Sequence, residues 1–284
     1  SAMAYVGDTT TERDRGGGIG WLGSAAGLGI ILGPGVGGWL GRASLSRPFF
    51  VGAGLAWTAL LLVGFLLPET LPASGRSGQG EVRGPRLRSL WDALSSAIGF
   101  PLFLLFLVSF ALANFEAVFG LYAAVRFEFG PERVGSILMV VGLVTTLGKG
   151  ALTGPLTRRW GEETVIQGSI VAGAIGYLVL LAAFDYVTIL LATGVFILSK
   201  TVLRPALLAL ISRRASVGQG AAMGLGNTFI SLGRVIGPLW AGFIFDVRLT
   251  LPYLSGAAIM ALGFVASLVW ISPRRDLTPE AQPR

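Results

Sequence analysis

The sequence predicts an all-α membrane protein with eight membrane-spanning helices. Hydrophobic residues make up 53% of its 284 residues and charged residues only 13%, against about 25% charged residues in a soluble domain. The mean hydropathy is +0.72, and uncharged segments such as residues 164–184 reach the roughly 20 residues that a span requires. Helices satisfy every backbone hydrogen bond within one open segment, so they are the structure that we expect in lipid.

Eight apolar segments, punctuated by Arg, Pro and Gly, are predicted as the spans. They lie at residues 16–41, 48–67, 100–125, 134–155, 164–184, 186–211, 218–244 and 251–272. Arginines are concentrated in one set of alternate connections, which includes residues 68–99, and are sparse in the other set. Because cytoplasmic connections carry the excess of Lys and Arg, we expect a multi-pass protein of the cell (plasma or inner) membrane with both termini in the cytoplasm.

The composition also excludes several classes of function. The chain contains no Cys and no His, which removes disulfides, thiol nucleophiles, the usual zinc and haem ligands and imidazole chemistry. No nucleophile–base set or phosphate-binding loop is visible in the sequence, so we expect neither an enzyme nor a bound metal or cofactor. The arginines of the connections account for most of the net charge of +7, so that charge gives no reason to expect a nucleic-acid partner.

The first and seventh spans are related by an internal repeat at an offset of 204 residues. The paired positions are Gly16 and Gly220, Gly20 and Gly224, Gly29 and Gly233, Gly33 and Gly237, Pro34 and Pro238, and Gly38 and Gly242. A period of six helices predicts a parent with twelve spans in two halves. Residues 1–67 would be the remnant of the first half and residues 100–284 the second half. The apolar residues 1–7 before the first span favour a chain truncated at its N-terminus.

Residues 68–99 are predicted as a cytoplasmic linker between the halves, because they begin with a segment rich in Pro, Gly and Ser. Near its end Leu87, Leu90, Trp91, Leu94 and Ile98 recur at helical spacing beside arginines. This pattern is typical of an amphipathic helix that lies on a membrane surface. The alternative is that these residues form the first turns of the third span.

Ionisable side chains inside spans are the first candidates for function, because they are costly in lipid and usually face a protein interior or an aqueous cavity. Glu116, with Asn114 nearby, is the acid that lies well inside a span. We expect Glu116 to bind and release a proton as its access to water changes. The alternative is a structural carboxylate that pairs with a basic residue of a neighbouring helix.

The basic residues of the spans are Lys149, Lys200, Arg204 and Arg234. Lys200 and Arg204 share one helix face; we expect Lys200 to line the cavity, whereas Arg204 either lines it or extends toward the cytoplasm. Arg234 is expected in an interhelical ion pair, and Lys149 is expected to extend toward the cytoplasmic end. No charge falls in the second, fifth or eighth span, which predicts a central cavity lined by two helices of every three.

The first span contains the pattern G-x-x-x-G-P-x-x-G-G, formed by Gly29, Gly33, Pro34, Gly37 and Gly38. Small residues four apart let two helix backbones approach closely, and Pro adds a kink. The pattern predicts a helix pair that acts as a seal or pivot when two bundles rock; ordinary close packing is the alternative. The repeated positions in the seventh span are Gly233, Gly237, Pro238 and Gly242.

These residues resemble the major facilitator superfamily, and in particular its drug:proton antiporter branch, whose fifth helix carries the same glycine pattern. The strings "LLPET" and "LGRVIGP" resemble the ends of that branch's sixth helix and its eleventh helix. The resemblance implies a major facilitator fold in which the eight spans are the fifth to twelfth of twelve helices. The family's basic loop signature would fall on Gly154, Arg158, Arg159 and Gly161, with Arg158 where the family has an acid.

The resemblance implies proton-coupled efflux of small molecules, of the multidrug type, by alternating access. The implied partners are the lipid bilayer, a small-molecule substrate and protons, and the full-length protein is expected to be a monomer. The excess of basic residues inside the spans motivates a second hypothesis, a facilitator of organic anions or other metabolites. A third hypothesis, of another class, is a membrane fragment that transports nothing.

Overall fold

The structure is a computed structural model that describes residues 5–6, 9–11, 14–66, 95–215 and 218–270. The predicted amphipathic segment at residues 87–98 lies outside the described residues except for its last four positions, and the side chain of Lys149 is also outside them.

Eight helices account for nearly all of the described residues. They are α1 (Arg15–Gly41), α2 (Arg47–Leu66), α3 (Gly99–Phe127), α4 (Pro131–Ala151), α5 (Thr153–Ala182), α6 (Tyr186–Arg214), α7 (Gln219–Val247) and α8 (Leu251–Trp270). Each is long and apolar enough to cross a membrane, and the described ranges contain no β-strand. The prediction of an all-α membrane protein is confirmed.

The start of α6 is fixed by a reciprocal capping box. The carboxylate of Asp185 accepts a hydrogen bond from the backbone N–H of Thr188 at 2.7 Å, and the Thr188 hydroxyl accepts one from the backbone N–H of Asp185 at 3.0 Å. The hydrogen bonds from Thr188 lower the pKa of the Asp185 carboxyl, because they favour its charged form. This cap explains why the observed boundary agrees with the predicted one.

Helix α5 begins earlier than the sequence predicts. Residues 156–161, which lie in the predicted connection between the fourth and fifth spans, are helical up to a kink at Gly161, where φ is 76° and ψ is 158°. An L side chain rarely adopts this conformation, so glycine permits the sharp change of direction. Hydropathy alone misses the short segment before the kink because that segment carries Arg158 and Arg159.

The helices form two compact units. The first contains α1, α2, the end of α3 and α4 up to Thr146; the second contains α3 up to Phe119 and α5 to α8. In the first unit α2 has no buried residue. Its exposed surface is apolar, with side chains such as Phe49 and Phe65, which suits contact with lipid.

The second unit has an aromatic core at its centre. Tyr177 of α5 lies 4.5 Å from Phe196 of α6, and Phe196 lies 5.0 Å from Phe115 of α3, measured between ring centroids. Tyr253 of α8 meets Tyr177 edge-on at 6.4 Å. All four side chains are fully buried. Because lipid is as apolar as these rings, close packing rather than transfer from water holds the four helices together.

Candidate functional site

The glycine pattern of α1 lies against α4 along one side only. A Cβ atom added at Gly135 would stand 2.5 Å from the Pro34 carbonyl oxygen and 2.8 Å from the Gly38 Cα atom, and one at Gly142 would stand 2.6 Å from the Ile30 carbonyl oxygen. The two backbones therefore touch with no side chain between them. Among the residues that the structure describes, no atom lies within 4 Å of an added Cβ at the other glycines of the pattern, Gly29, Gly33 and Gly37.

Two of the repeated glycines of α7 also bring that helix against the backbone of α3, although their counterparts in α1, Gly29 and Gly33, make no such contact. An added Cβ atom would stand 2.7 Å from the Phe106 carbonyl oxygen at Gly233 and 2.7 Å from the Phe110 carbonyl oxygen at Gly237. Gly242 faces no described atom within 4 Å, and Pro238 lies inside the helix. The close approach of α7 to α3 sets the position of Arg234, which directly follows Gly233.

Three charged side chains, which we call the charge cluster, belong to this region: Glu116 of α3, Arg204 of α6 and Arg234 of α7. Arg234 acts electrostatically on the Glu116 carboxyl, and Arg204 and Arg234 repel each other. Glu116 and Arg234 are exposed, and Arg204 is partly buried. No ion pair within 4.0 Å joins Glu116 to a basic group among the described side chains.

Asn114 lies in the core of the second unit rather than beside Glu116. Its side chain is fully buried, and its amide nitrogen donates a hydrogen bond to the Pro252 carbonyl oxygen of α8 at 2.7 Å. Two positions along a helix differ by about 200° around its axis, which places Asn114 and Glu116 on opposite faces. Asn114 therefore ties α3 to α8.

Lys200 is also buried, with 5% of its surface exposed. Its Nζ atom lies 5.4 Å from the ring centroid of Tyr177 and 5.3 Å from that of Phe196. Within the described part of the chain this nitrogen has no hydrogen-bond partner. The side chain that the sequence assigned to a cavity is thus buried beside two aromatic rings.

Two ion pairs join α5 to α6 directly after the loop signature, which ends at Gly161, and the sequence analysis did not predict them. Arg214 Nη2 lies 2.5 Å from Glu163 Oε1, and Arg213 Nε lies 3.4 Å from Glu162 Oε2. Glu162 and Glu163 directly follow Gly161 in the sequence. These two acids, and the two consecutive arginines at the end of α6, are the sequence signal that could have predicted the ion pairs. The family's acidic position is occupied by Arg158, which is exposed, as are Arg159, Gly154 and Gly161.

A cavity of about 790 Å³ opens near the N-terminal end of α3 and the C-terminal end of α8. Its lining includes Ser95, Phe100, Phe103, Arg214 and Trp270. No member of the charge cluster lines it, so it is separate from the candidate site.

The model of the Major Facilitator Superfamily matches this chain over residues 1–202 and 102–284. The chain belongs to the major facilitator superfamily. The predicted family and fold are therefore confirmed, and so is the prediction that the chain is not an enzyme, because this superfamily consists of membrane transporters.

Curated members of the superfamily are similar to the chain over nearly its whole length. Multidrug resistance protein 2 of Bacillus subtilis is 30% identical over 278 residues, which are 97% of this chain and 70% of that protein. The quinolone resistance protein NorA of Staphylococcus aureus is 27% identical over 265 residues, which are 93% of this chain and 67% of NorA.

A solved major facilitator structure has the same fold. The crystal structure of the human organic anion transporter MFSD10 (TETRAN) aligns with a TM-score of 0.58 at 21% sequence identity. The alignment covers 93% of this chain and 66% of the MFSD10 chain.

Proposed function

We propose that this major facilitator chain exports small organic molecules in exchange for protons, as a multidrug-type antiporter that works by alternating access. The names of the similar bacterial proteins, for resistance to multiple drugs and to quinolones, support the substrate class. The observation that carries the proton coupling is a carboxyl without a salt bridge, Glu116, among the basic residues of the charge cluster.

The charge cluster couples proton binding to helix position. While Glu116 is charged, it attracts Arg234 and so offsets the repulsion between Arg204 and Arg234. When Glu116 takes up a proton, that repulsion is no longer compensated, and it pushes α6 and α7 apart. Charges interact more strongly in a medium of lower dielectric constant than water, so the loss of one charge from this cluster shifts the equilibrium between two helix positions.

The organisation that accompanies this mechanism is also a proposal. The eight helices correspond to the fifth to twelfth of twelve, with residues 1–67 in the first half, residues 68–99 as a cytoplasmic linker and residues 100–284 as the second half. Both termini lie in the cytoplasm, and the protein acts as a monomer. The backbone contact of α1 with α4 through Gly38 serves as a pivot that stays closed during the cycle.

The proposal is tested by transport into everted membrane vesicles under an imposed pH gradient, with the fluorescent quinolone norfloxacin as the probe. The unmodified chain is expected to accumulate norfloxacin only while the vesicle interior is acidic. Glu116→Gln is expected to abolish this gradient-driven accumulation, whereas the matched control Glu132→Gln, at the start of α4, keeps it. Accumulation by Glu116→Gln at the unmodified rate would refute the role of Glu116.

A second candidate function is facilitated transport of organic anions. It is favoured by the excess of basic over acidic residues in the spans of the second unit. Within the spans predicted for that unit Glu116 is accompanied by three bases, Lys200, Arg204 and Arg234. A facilitator would move its substrate at the same rate with and without a pH gradient, and Glu116→Gln would leave that rate unchanged. The vesicle assay therefore separates the two functions.

A further inference from the structure

The cavity at the ends of α3, α6 and α8 is not used by the proposed transport mechanism. Its volume of about 790 Å³ lies within the range of ligand pockets, about 300–1,000 Å³. Its lining includes Gly99, the first residue of α3, Arg214, the last of α6, and Trp270, the last of α8. Because consecutive spans cross the membrane in opposite directions, these three helix ends lie at the same membrane surface. The cavity therefore lies at the level of the lipid headgroups.

Arg214 gives the cavity a positive charge with unused hydrogen-bond donors. Its Nη2 atom donates a hydrogen bond to Oε1 of Glu163 at 2.5 Å, and this is its only hydrogen bond among the residues that the structure describes. Glu163 is not one of the lining residues, so it fixes the guanidinium without occupying the cavity. A guanidinium has five N–H donors, and four remain for a phosphate or carboxylate group.

The rest of the lining changes from polar to apolar with depth. Ser95 and Ser96, which line the cavity before α3 begins, supply hydroxyl groups that can donate to an anion. Phe103 lies four residues inside α3 and Ala266 four residues before the end of α8, which is about 6 Å deeper in the membrane. An exposed fraction of 44% at Phe103 leaves its ring open to the surroundings of the helices. Polar groups near the surface and apolar groups below them match an amphiphile with an anionic head.

We propose that this cavity binds an anionic phospholipid of the adjoining leaflet. The phosphate accepts hydrogen bonds from Arg214 and the serine hydroxyls, and the first carbons of the acyl chains lie against Phe103 and Ala266. Basic pockets between membrane-spanning helices have the chemistry that recognises anionic headgroups. Trp270, which stacks on Phe100 at a centroid distance of 5.9 Å, is a residue type enriched at the membrane–water interface. A small free anion would contact Arg214 but would leave the apolar wall uncovered, so a lipid fits the whole lining better.

The test is native mass spectrometry of the purified chain in detergent, titrated with phosphatidylglycerol or phosphatidylcholine of identical acyl chains. The ratio of the two Kd values measures the preference for an anionic headgroup. Arg214→Gln removes the guanidinium from the cavity. Arg213→Gln is the matched control, because it removes the same charge from the neighbouring ion pair, in which Arg213 Nε lies 3.4 Å from Glu162 Oε2, and Arg213 does not line the cavity.

The unmodified chain and Arg213→Gln are expected to bind phosphatidylglycerol about tenfold more tightly than phosphatidylcholine, the effect of about one hydrogen bond to a charged group. Arg214→Gln is expected to bind both lipids with similar Kd values. A full preference in Arg214→Gln would overturn the proposal. An equal loss of preference in both variants would also overturn it, because binding would then follow net charge. Displacement of the lipid by glycerol 3-phosphate would overturn the assignment to a lipid in favour of a free anion.

Two further variants separate binding from folding. Glu163→Gln combined with Arg214→Gln leaves no carboxylate unpaired, and it replaces Arg214→Gln if that variant does not fold. Ala266→Phe keeps the ion pair of Arg214 and fills part of the cavity, so it is expected to weaken binding of phosphatidylglycerol. Unchanged binding in Ala266→Phe would overturn the cavity as the site. These measurements involve neither a transported substrate nor a pH gradient, so their outcome does not depend on the proposed transport.

Discussion

Substitution of Gly135 by Ala tests the backbone contact between α1 and α4. The new Cβ atom would stand 2.5 Å from the Pro34 carbonyl oxygen, whereas ordinary contact begins at 3.4 Å, so the helices must separate locally by about 0.9 Å. Because the obstructing atoms belong to the backbone, no rotation of a side chain relieves the clash. Overpacking of this kind costs about 1–3 kcal/mol.

The matched control is Gly37→Ala, where no described atom outside the same helix lies within 4 Å of the added methyl group. Both substitutions gain the same helix propensity, about 1 kcal/mol, so their difference isolates the clash. We expect Tm of Gly135→Ala to fall about 2–12 °C below that of Gly37→Ala. Thermal unfolding in detergent, followed by the fluorescence of the seven tryptophans, measures it. Equal Tm values for the two variants would refute a contact made by backbones.

Two further predictions concern positions outside the charge cluster. Gly161→Ala forces an L residue into a conformation with φ of 76°, so we expect it to lower the free energy of unfolding by about 1–3 kcal/mol. The control is Gly154→Ala, whose Cβ faces open space. Equal unfolding temperatures for the two variants would contradict the expectation. Asp185→Asn tests the charge at the cap of α6. Hydrogen bonds lower the pKa of Asp185 in the folded state, so the negative charge stabilises the fold at pH values above the pKa in the unfolded state. This stabilisation is lost as the pH falls through the pKa in the folded state. The unmodified chain should therefore have a higher Tm than Asp185→Asn at neutral pH, and the difference should close in acid. A difference that does not depend on pH would argue against a contribution from the Asp185 charge.

Patterns local to one helix could be predicted from the sequence. Seven of the eight helices begin within three residues of the predicted span, because apolar length and turn residues such as Asp185 are local signals. The start of the fifth helix was predicted about eleven residues too late. The short helical segment before the Gly161 kink is polar, so the criterion of apolar length does not detect it. The glycine repeat indicated close backbone contact, which is found at Gly38, Gly233 and Gly237.

The partners of these residues could not be predicted, because they depend on how helices distant in sequence pack. Spacing does not reveal that Gly38 of α1 meets α4, or that the glycines of α7 that meet α3 are Gly233 and Gly237 rather than the repeat of Gly38. Asn114 was grouped with Glu116 by proximity in sequence, yet its amide binds the carbonyl of Pro252, 138 residues away. The sequence places Lys200 within a span, but it does not show that the amine lies against the Tyr177 ring of a neighbouring helix.

The most direct test of proton-coupled export is proton movement driven by a substrate gradient in proteoliposomes that contain a pH-sensitive dye. The probe is chloramphenicol, a neutral antibiotic without a group that titrates near neutral pH. In the unmodified protein we expect a chloramphenicol gradient to drive protons in the opposite direction, and Glu116→Gln to abolish the proton movement. Chloramphenicol transport with no accompanying proton movement, or equal proton movement in Glu116→Gln, would contradict the account.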